Sequence, residues 1–240
     1  MKQRIWELDA IRGVFMIYIM LFHLMYDLVY LFDIVDLTTP FSRFLYQMGN
    51  DWGGTPFLII SGLCVTFGRH PVRRGLQVIG GGMLITLVTA CMYWFGFVDK
   101  GIIIYFGVLH CIGVCMLLWA LFKKLPTWAL LILGLIMAVG GLYLKNNVVV
   151  DFPWLIPFGI PSYGFVSSDY FPLLPNLGYF LVGAAIGRKL YPTRQSLLPQ
   201  FTGEHPVIRF FRFFGKNSLI LYLIHQPVLA ALVYLGILLF

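Results

Sequence analysis

Charge is what this sequence has least of. Only 11% of its 240 residues are charged, 10 Asp and Glu against 17 Lys and Arg, where a soluble domain carries about a quarter. With 60% hydrophobic residues and a mean hydropathy of +0.85, that scarcity excludes an ordinary soluble domain and leaves a polytopic membrane protein. Cysteine is scarce as well. Cys64, Cys91, Cys111 and Cys115 all lie inside apolar runs, which reads as buried free thiols and not as a disulfide framework. Cys111 and Cys115 have no further soft ligands beside them, and the mid-span histidines fall in separate segments, so no metal site is expected. No internal repeat, low-complexity tract or polar linker is visible, and residues 1–240 are expected to form one domain. The opening MKQR lacks a small-residue cleavage site, so the first apolar run reads as a retained helix.

What is present is a series of apolar runs. Hydropathy marks seven spans, roughly 10–32, 54–69, 75–98, 102–122, 126–144, 174–192 and 217–239, which predicts an all-α membrane bundle. The second is short and bounded by Gly53-Gly54, which suits a tilted or partly re-entrant segment. Loop charges then set the orientation. Lys2, Arg4, Arg69, Arg73, Arg74, Lys123, Lys124, Arg188, Lys189, Arg194, Arg209, Arg212 and Lys216 fall on one side. Arg43, Lys100 and Lys145 fall on the other, together with Asp33, Asp36, Asp51, Asp99, Asp151 and Asp169. The N-terminus is therefore expected in the cytoplasm and the C-terminus outside. The net charge of +7 is explained by topology, and nucleic acid is not expected as a partner; the lipid bilayer is. Residues 146–173, rich in proline and aromatic side chains, read as an ordered external cap. HPVIRFFRFFGKNS reads as an interfacial amphipathic helix before the last span.

The first run, ELDAIRGVFMIYIMLFHLMYD, carries more polar chemistry than an anchor needs. At ~100° per residue, with Asp9 at zero, Arg12 falls at about −60°, His23 at about −40° and Asp27 at about 0°. These four ionisable groups share one stripe of a helix otherwise suited to lipid, which marks that stripe as a site candidate. The i,i+4 spacing of His23 and Asp27 suits a carboxylate orienting an imidazole as a general base. Asp9 and Arg12 at the polar end equally suit a structural salt bridge. His110 and His225, the latter followed by Gln226 and the helix-breaking Pro227, read as mid-span residues, so three helices would bring imidazoles to one interior pocket.

ELDAIRGVFMIYIMLFH resembles the opening L-D-x-x-R-G signature of transmembrane acyltransferases. FLIISGLCVTFGR, GVLHCIGVCMLL, LGYFLVGAAIGRKLY and FGKNSLILYLIHQPVL extend the likeness. Together they are similar to bacterial relatives of heparan-alpha-glucosaminide N-acetyltransferase. That resemblance implies a helical bundle in the bacterial cytoplasmic membrane, moving an acetyl group from cytoplasmic acetyl-CoA to an acceptor outside. It implies His23 as the catalytic histidine, with Asp9 and Arg12 as the motif's acidic and basic members. The resemblance implies an acceptor with a hydroxyl or amine, such as a glycan; the external stretch YQMGNDWGG departs from the lysosomal enzyme in carrying no histidine, so an amino sugar is not implied. On this reading Arg12, Arg69, Arg73 and Arg74 hold the CoA phosphates. The acceptor passes Asn50, Asp51 and Trp52, His23 and Asp27 act as base and orienter, and His110 or His225 with Gln226 donates to the oxyanion. Direct transfer and an acetyl-histidine route both stay open, as does assembly as a homodimer. The alternative is a proton-coupled transporter relaying through Asp9, His23, Asp27, His110 and His225, although no related halves are visible.

Overall fold

Apolar runs of this length must satisfy their own backbone, and helices do so within one segment. A computed structural model describes residues 5–36, 38–40, 42–44, 47, 54–201 and 203–239. Among them the regular structure is helical, with one isolated bridge between Phe106 and Tyr170. The helices are α1 (Trp6–Tyr26), α2 (Thr55–Val65), α3 (Pro71–Trp94), α4 (Val108–Phe122), α5 (Thr127–Asn147), α6 (Leu173–Leu190), α7 (Pro206–Lys216) and α8 (Ser218–Leu239). Short 3₁₀ turns stand at Lys100–Ile102 and Pro153–Phe158.

Among the described residues four helices are long and apolar enough to cross a membrane: α1 with the turn that follows it (Trp6–Leu31), α3, α5 and α8. Of the seven spans read from hydropathy, the second and fourth are shorter than drawn. α2 has 11 residues and α4 has 15. α4 starts late because residues 99–107 form a 3₁₀ turn and an extended stretch instead of helix. α3 starts early because Pro71 occupies a first-turn position, where its missing N–H costs nothing. The single domain read from the sequence divides into two compact units, Met1–Phe57 with Gln195–Phe240, and Leu58–Arg194.

In the first unit α7 and α8 pack on α1. The α1–α7 crossing is made by glycines: a Cβ on Gly13 would run into the Phe211 carbonyl, and one on Gly215 into the Asp9 carbonyl. Membrane helices lack a hydrophobic drive toward each other, and small residues that admit close approach replace it. Past Tyr26 the backbone widens into a π-helical turn over Asp27–Leu31, where Phe32 N–H donates to the Asp27 carbonyl at 2.9 Å. Such turns recur at functional sites. α8 continues through Pro227 to Leu239, so the break expected there does not occur; proline is tolerated more readily in membrane helices than in soluble ones.

The second unit runs up and down. The C-terminal ends of α2, α4 and α6 and the N-terminal end of α3 meet at one end, around a shared cavity. At the opposite end the segment before α6 is tied down. Tyr170 Oη donates to the Ile156 carbonyl at 2.6 Å, Phe165 packs edge-on against Tyr170, and Ser167 Oγ donates to the Ile103 carbonyl at 2.8 Å. Burial pushes the Tyr170 phenol up to about 12.

Candidate functional site

The polar stripe of α1 is built into two separate groups within the first unit. At the N-terminal end, Asp9 is buried and its Oδ1 lies 3.8 Å from Arg12 Nη1. Arg12 Nη2 donates to Ser218 Oγ, the first residue of α8, at 3.1 Å. Glu7, to which the sequence reading gave no role, is buried too. Its carboxylate accepts from Ser196 Oγ at 2.9 Å and Leu197 N–H at 2.8 Å, tying the loop after residue 194 to the start of α1. Its position within a helix-opening motif was visible; its partners, some 190 residues away, were not.

Deeper along α1 lies the second group. His23 and His225 meet edge to face with ring centroids 4.8 Å apart. His23 Nδ1 lies 2.9 Å from the Ile19 carbonyl, and His225 Nδ1 lies 2.7 Å from the Tyr222 carbonyl. A carbonyl can only accept, so each ring carries its proton on Nδ1 and bears its lone pair on Nε2. Asp27, fully buried, accepts from Gln226 Nε2 at 2.5 Å. The sequence reading had Asp27 orienting His23. That is corrected: Asp27 is held by Gln226 across the helix interface, and His23 is oriented by its own backbone.

Three atoms of this group are buried without a partner among the described residues: Asp27 Oδ2, Gln226 Oε1 and His225 Nε2. All three are acceptors. A buried polar atom left unsatisfied costs about 1–3 kcal/mol, and each of these three atoms can take a hydrogen bond only as an acceptor. The same fact corrects the oxyanion assignment of His225 and Gln226. The imidazole N–H is turned to Tyr222 and the amide nitrogen to Asp27.

His110 is corrected as well. It sits in the first turn of α4 and not mid-span. Its Nδ1 accepts from Gly107 N–H at 3.2 Å, its Nε2 lies 3.4 Å from Thr86 Oγ1, and its ring stacks on Phe106. Thr86 Oγ1 in turn donates to the Ile104 carbonyl at 2.6 Å. One ring nitrogen thus caps the start of α4 and the other meets Thr86 of α3. Asp169 completes that start by accepting from Val108 N–H at 3.2 Å.

The cationic site of the second unit is a cavity of about 360 Å³ lined by Arg69, Lys123, Arg188 and Arg194 with the aromatic faces of Trp119 and Tyr191. Arg188 shapes it: its guanidinium lies over the Trp119 ring at 5.0 Å and donates to the carbonyls of Leu125 and Lys123 at 2.6 and 2.5 Å. Of the four arginines read as a phosphate clamp, Arg69 alone lines this cavity. Arg73 and Arg74 stand at exposed positions of the first turn of α3, and Arg12 braces α1 against α8. Lys123, Arg188 and Arg194 were legible only as topology signals. Asn50, Asp51 and Trp52 lie outside the described residues. Among the described residues no group of three or more His, Cys, Asp or Glu side chains is placed to hold a metal ion.

The described residues thus hold a His–His–Asp–Gln group in the first unit and a basic, aromatic cavity in the second. A family model described as heparan-alpha-glucosaminide N-acetyltransferase, catalytic, matches residues 4–227. The chain belongs to this family. The heparan-alpha-glucosaminide N-acetyltransferase match spans both compact units and every site residue named above, including Gln226 near its end. Membership places the chain among transmembrane acetyltransferases. No curated protein and no solved structure matches the chain.

Proposed function

We propose that the protein transfers an acetyl group from acetyl-CoA, taken up at the cytoplasmic face, to a hydroxyl or amine acceptor presented from the outer face. The topology behind this is the seven-span one read from hydropathy and oriented by loop charge, in a bacterial cytoplasmic membrane. The observation that carries the reading is the His23–His225 pair beside Asp27–Gln226. It sets polar groups in apolar helices where membrane proteins place function.

His23 is the base. With its proton fixed on Nδ1 by the Ile19 carbonyl, its Nε2 takes the proton of the acceptor as the acceptor oxygen or nitrogen bonds to the acyl carbon. His23 then returns that proton to the departing sulfur as the C–S bond breaks, so no net proton is consumed. Asp27 Oδ2, Gln226 Oε1 and His225 Nε2 suit an acceptor that brings O–H or N–H donors, which supports a sugar over an anionic acceptor. Arg69, Lys123 and Arg194 suit the phosphates of the donor, and Trp119 and Tyr191 its adenine ring.

The test is calorimetric binding of acetyl-CoA to the full chain in detergent, with an Arg69→Ala/Arg194→Ala variant alongside. Saturable binding weakened at least tenfold in the variant supports the donor assignment. Equal binding by both proteins, or none by the folded wild type, contradicts it.

A further inference from the structure

Helix α7 has a surface that neither the first unit nor the proposed chemistry uses. Taking Pro206 as zero and ~100° per residue, the exposed Phe213, Phe210 and Val207 fall between about −20° and +100°, and Lys216, Arg209 and Arg212 between about −120° and −60°. Gly215 and Phe211, which meet α1, lie on the far side. An apolar flank therefore adjoins a basic one. On the basic flank is a cavity of about 250 Å³ lined by Glu204, Arg209, Arg212, Phe213 and Lys216.

Charge in this cavity is unbalanced, with three cations and one carboxylate. Glu204 is held by Arg212 at 2.9 Å, and that hydrogen bond, with Arg212's charge, pulls its pKa below the usual carboxylate range. Arg212 Nη1 also donates to the Gly203 carbonyl at 2.7 Å, yet Arg212 Nε is buried with no acceptor among the described residues. The surplus of positive charge suits an anionic ligand.

Depth says which anion. α1 with its π turn runs 26 residues, ~39 Å at 1.5 Å per residue, against a hydrocarbon core of ~30 Å. Placed at the polar, charged N-terminal end, the ~9 Å excess sets Trp6 to Arg12 at headgroup level, beside the α7 crossing at Asp9 and Gly13. We propose that α7 and the turn before it form a binding site for the headgroup of an anionic phospholipid. Arg209, Arg212 and Lys216 hold the phosphate, and Phe210 and Phe213 lie along the acyl chains. Because Gly13 and Gly215 lock α7 to α1, the bound lipid steadies the helix face that carries Asp9 and Arg12.

The experiment uses the full chain in detergent, titrated with short-chain phosphatidylglycerol or phosphatidylcholine and read by native mass spectrometry, with inorganic phosphate as competitor. Arg209→Gln/Lys216→Gln changes two exposed cations and leaves the Arg212 brace in place; Lys124→Gln/Lys189→Gln is the charge-matched control. The expected result is saturable phosphatidylglycerol binding preferred over phosphatidylcholine. It should weaken roughly fivefold for each α7 cation removed and stay unchanged in the control. Equal affinity for both lipids, equal loss in the control variant, or displacement by millimolar phosphate would overturn the proposal. The readout does not depend on acetyl transfer, so it stands or falls apart from the enzymatic reading.

Discussion

A single side chain decides whether the buried group is stable as well as reactive. Asp27 has one oxygen on Gln226 Nε2 and the other without a partner among the described residues. Gln226→Leu removes the Nε2 donor and leaves both carboxyl oxygens short of one. The expected cost is about 1–3 kcal/mol, visible as a lowered melting temperature in detergent, whereas Gln226→Glu tests whether the pair tolerates a second carboxyl. Tyr170 offers a pH test far from the chemistry. Its phenol is raised to about 12 by burial, so the folded protein favours the neutral form. That contribution is fully present below the unfolded value near 10 and is lost as pH rises toward 12. Tyr170→Phe should flatten this alkaline fall in thermal stability; an unchanged pH curve would remove Tyr170 from the account.

At the scale of elements, the α1–α7 crossing is the tightest joint of the first unit. Gly13→Val sets side-chain atoms against the Phe211 backbone, where nothing flexible can yield. Destabilisation of about 1–3 kcal/mol or more is expected, with increased protease cleavage in the loop that Glu7 holds. A variant as stable and resistant as the wild type would show that α7 is not seated on α1. The sequence foretold α1, its polar stripe and the amphipathic character of α7, because those follow from periodicity along one helix. It did not foretell the partners. Asp27 turned to Gln226 and not to His23 because the competing donor comes from a helix about 200 residues away, and i,i+4 spacing sees only its own helix. His110 was misplaced because hydropathy continues through residues 102–107, while the backbone there leaves a 3₁₀ turn at Ile102 and runs without helix to residue 107. The π turn at Asp27 has no local signature of its own.

Among the described residues, four of the apolar runs form helices that meet a strict membrane length; the shorter ones are apolar too, since burial in a bundle and burial in lipid select the same residues. The basic loops carry two messages at once. Lys123, Arg188 and Arg194 were read as orientation, and they also line a cavity with Arg69. The family match makes the common chemistry acetyl transfer, and the His23–His225 pair is where the account locates it. The measurement closest to that claim is acceptor-dependent release of CoA from acetyl-CoA by the protein in membrane vesicles, with cell-envelope extract as the acceptor source. His23→Ala should lower turnover by at least two orders of magnitude, the usual contribution of a general base (about 10²–10⁴-fold), while acetyl-CoA binding by calorimetry stays intact. Turnover in His23→Ala equal to the wild type would contradict the account and move the chemistry away from the histidine pair.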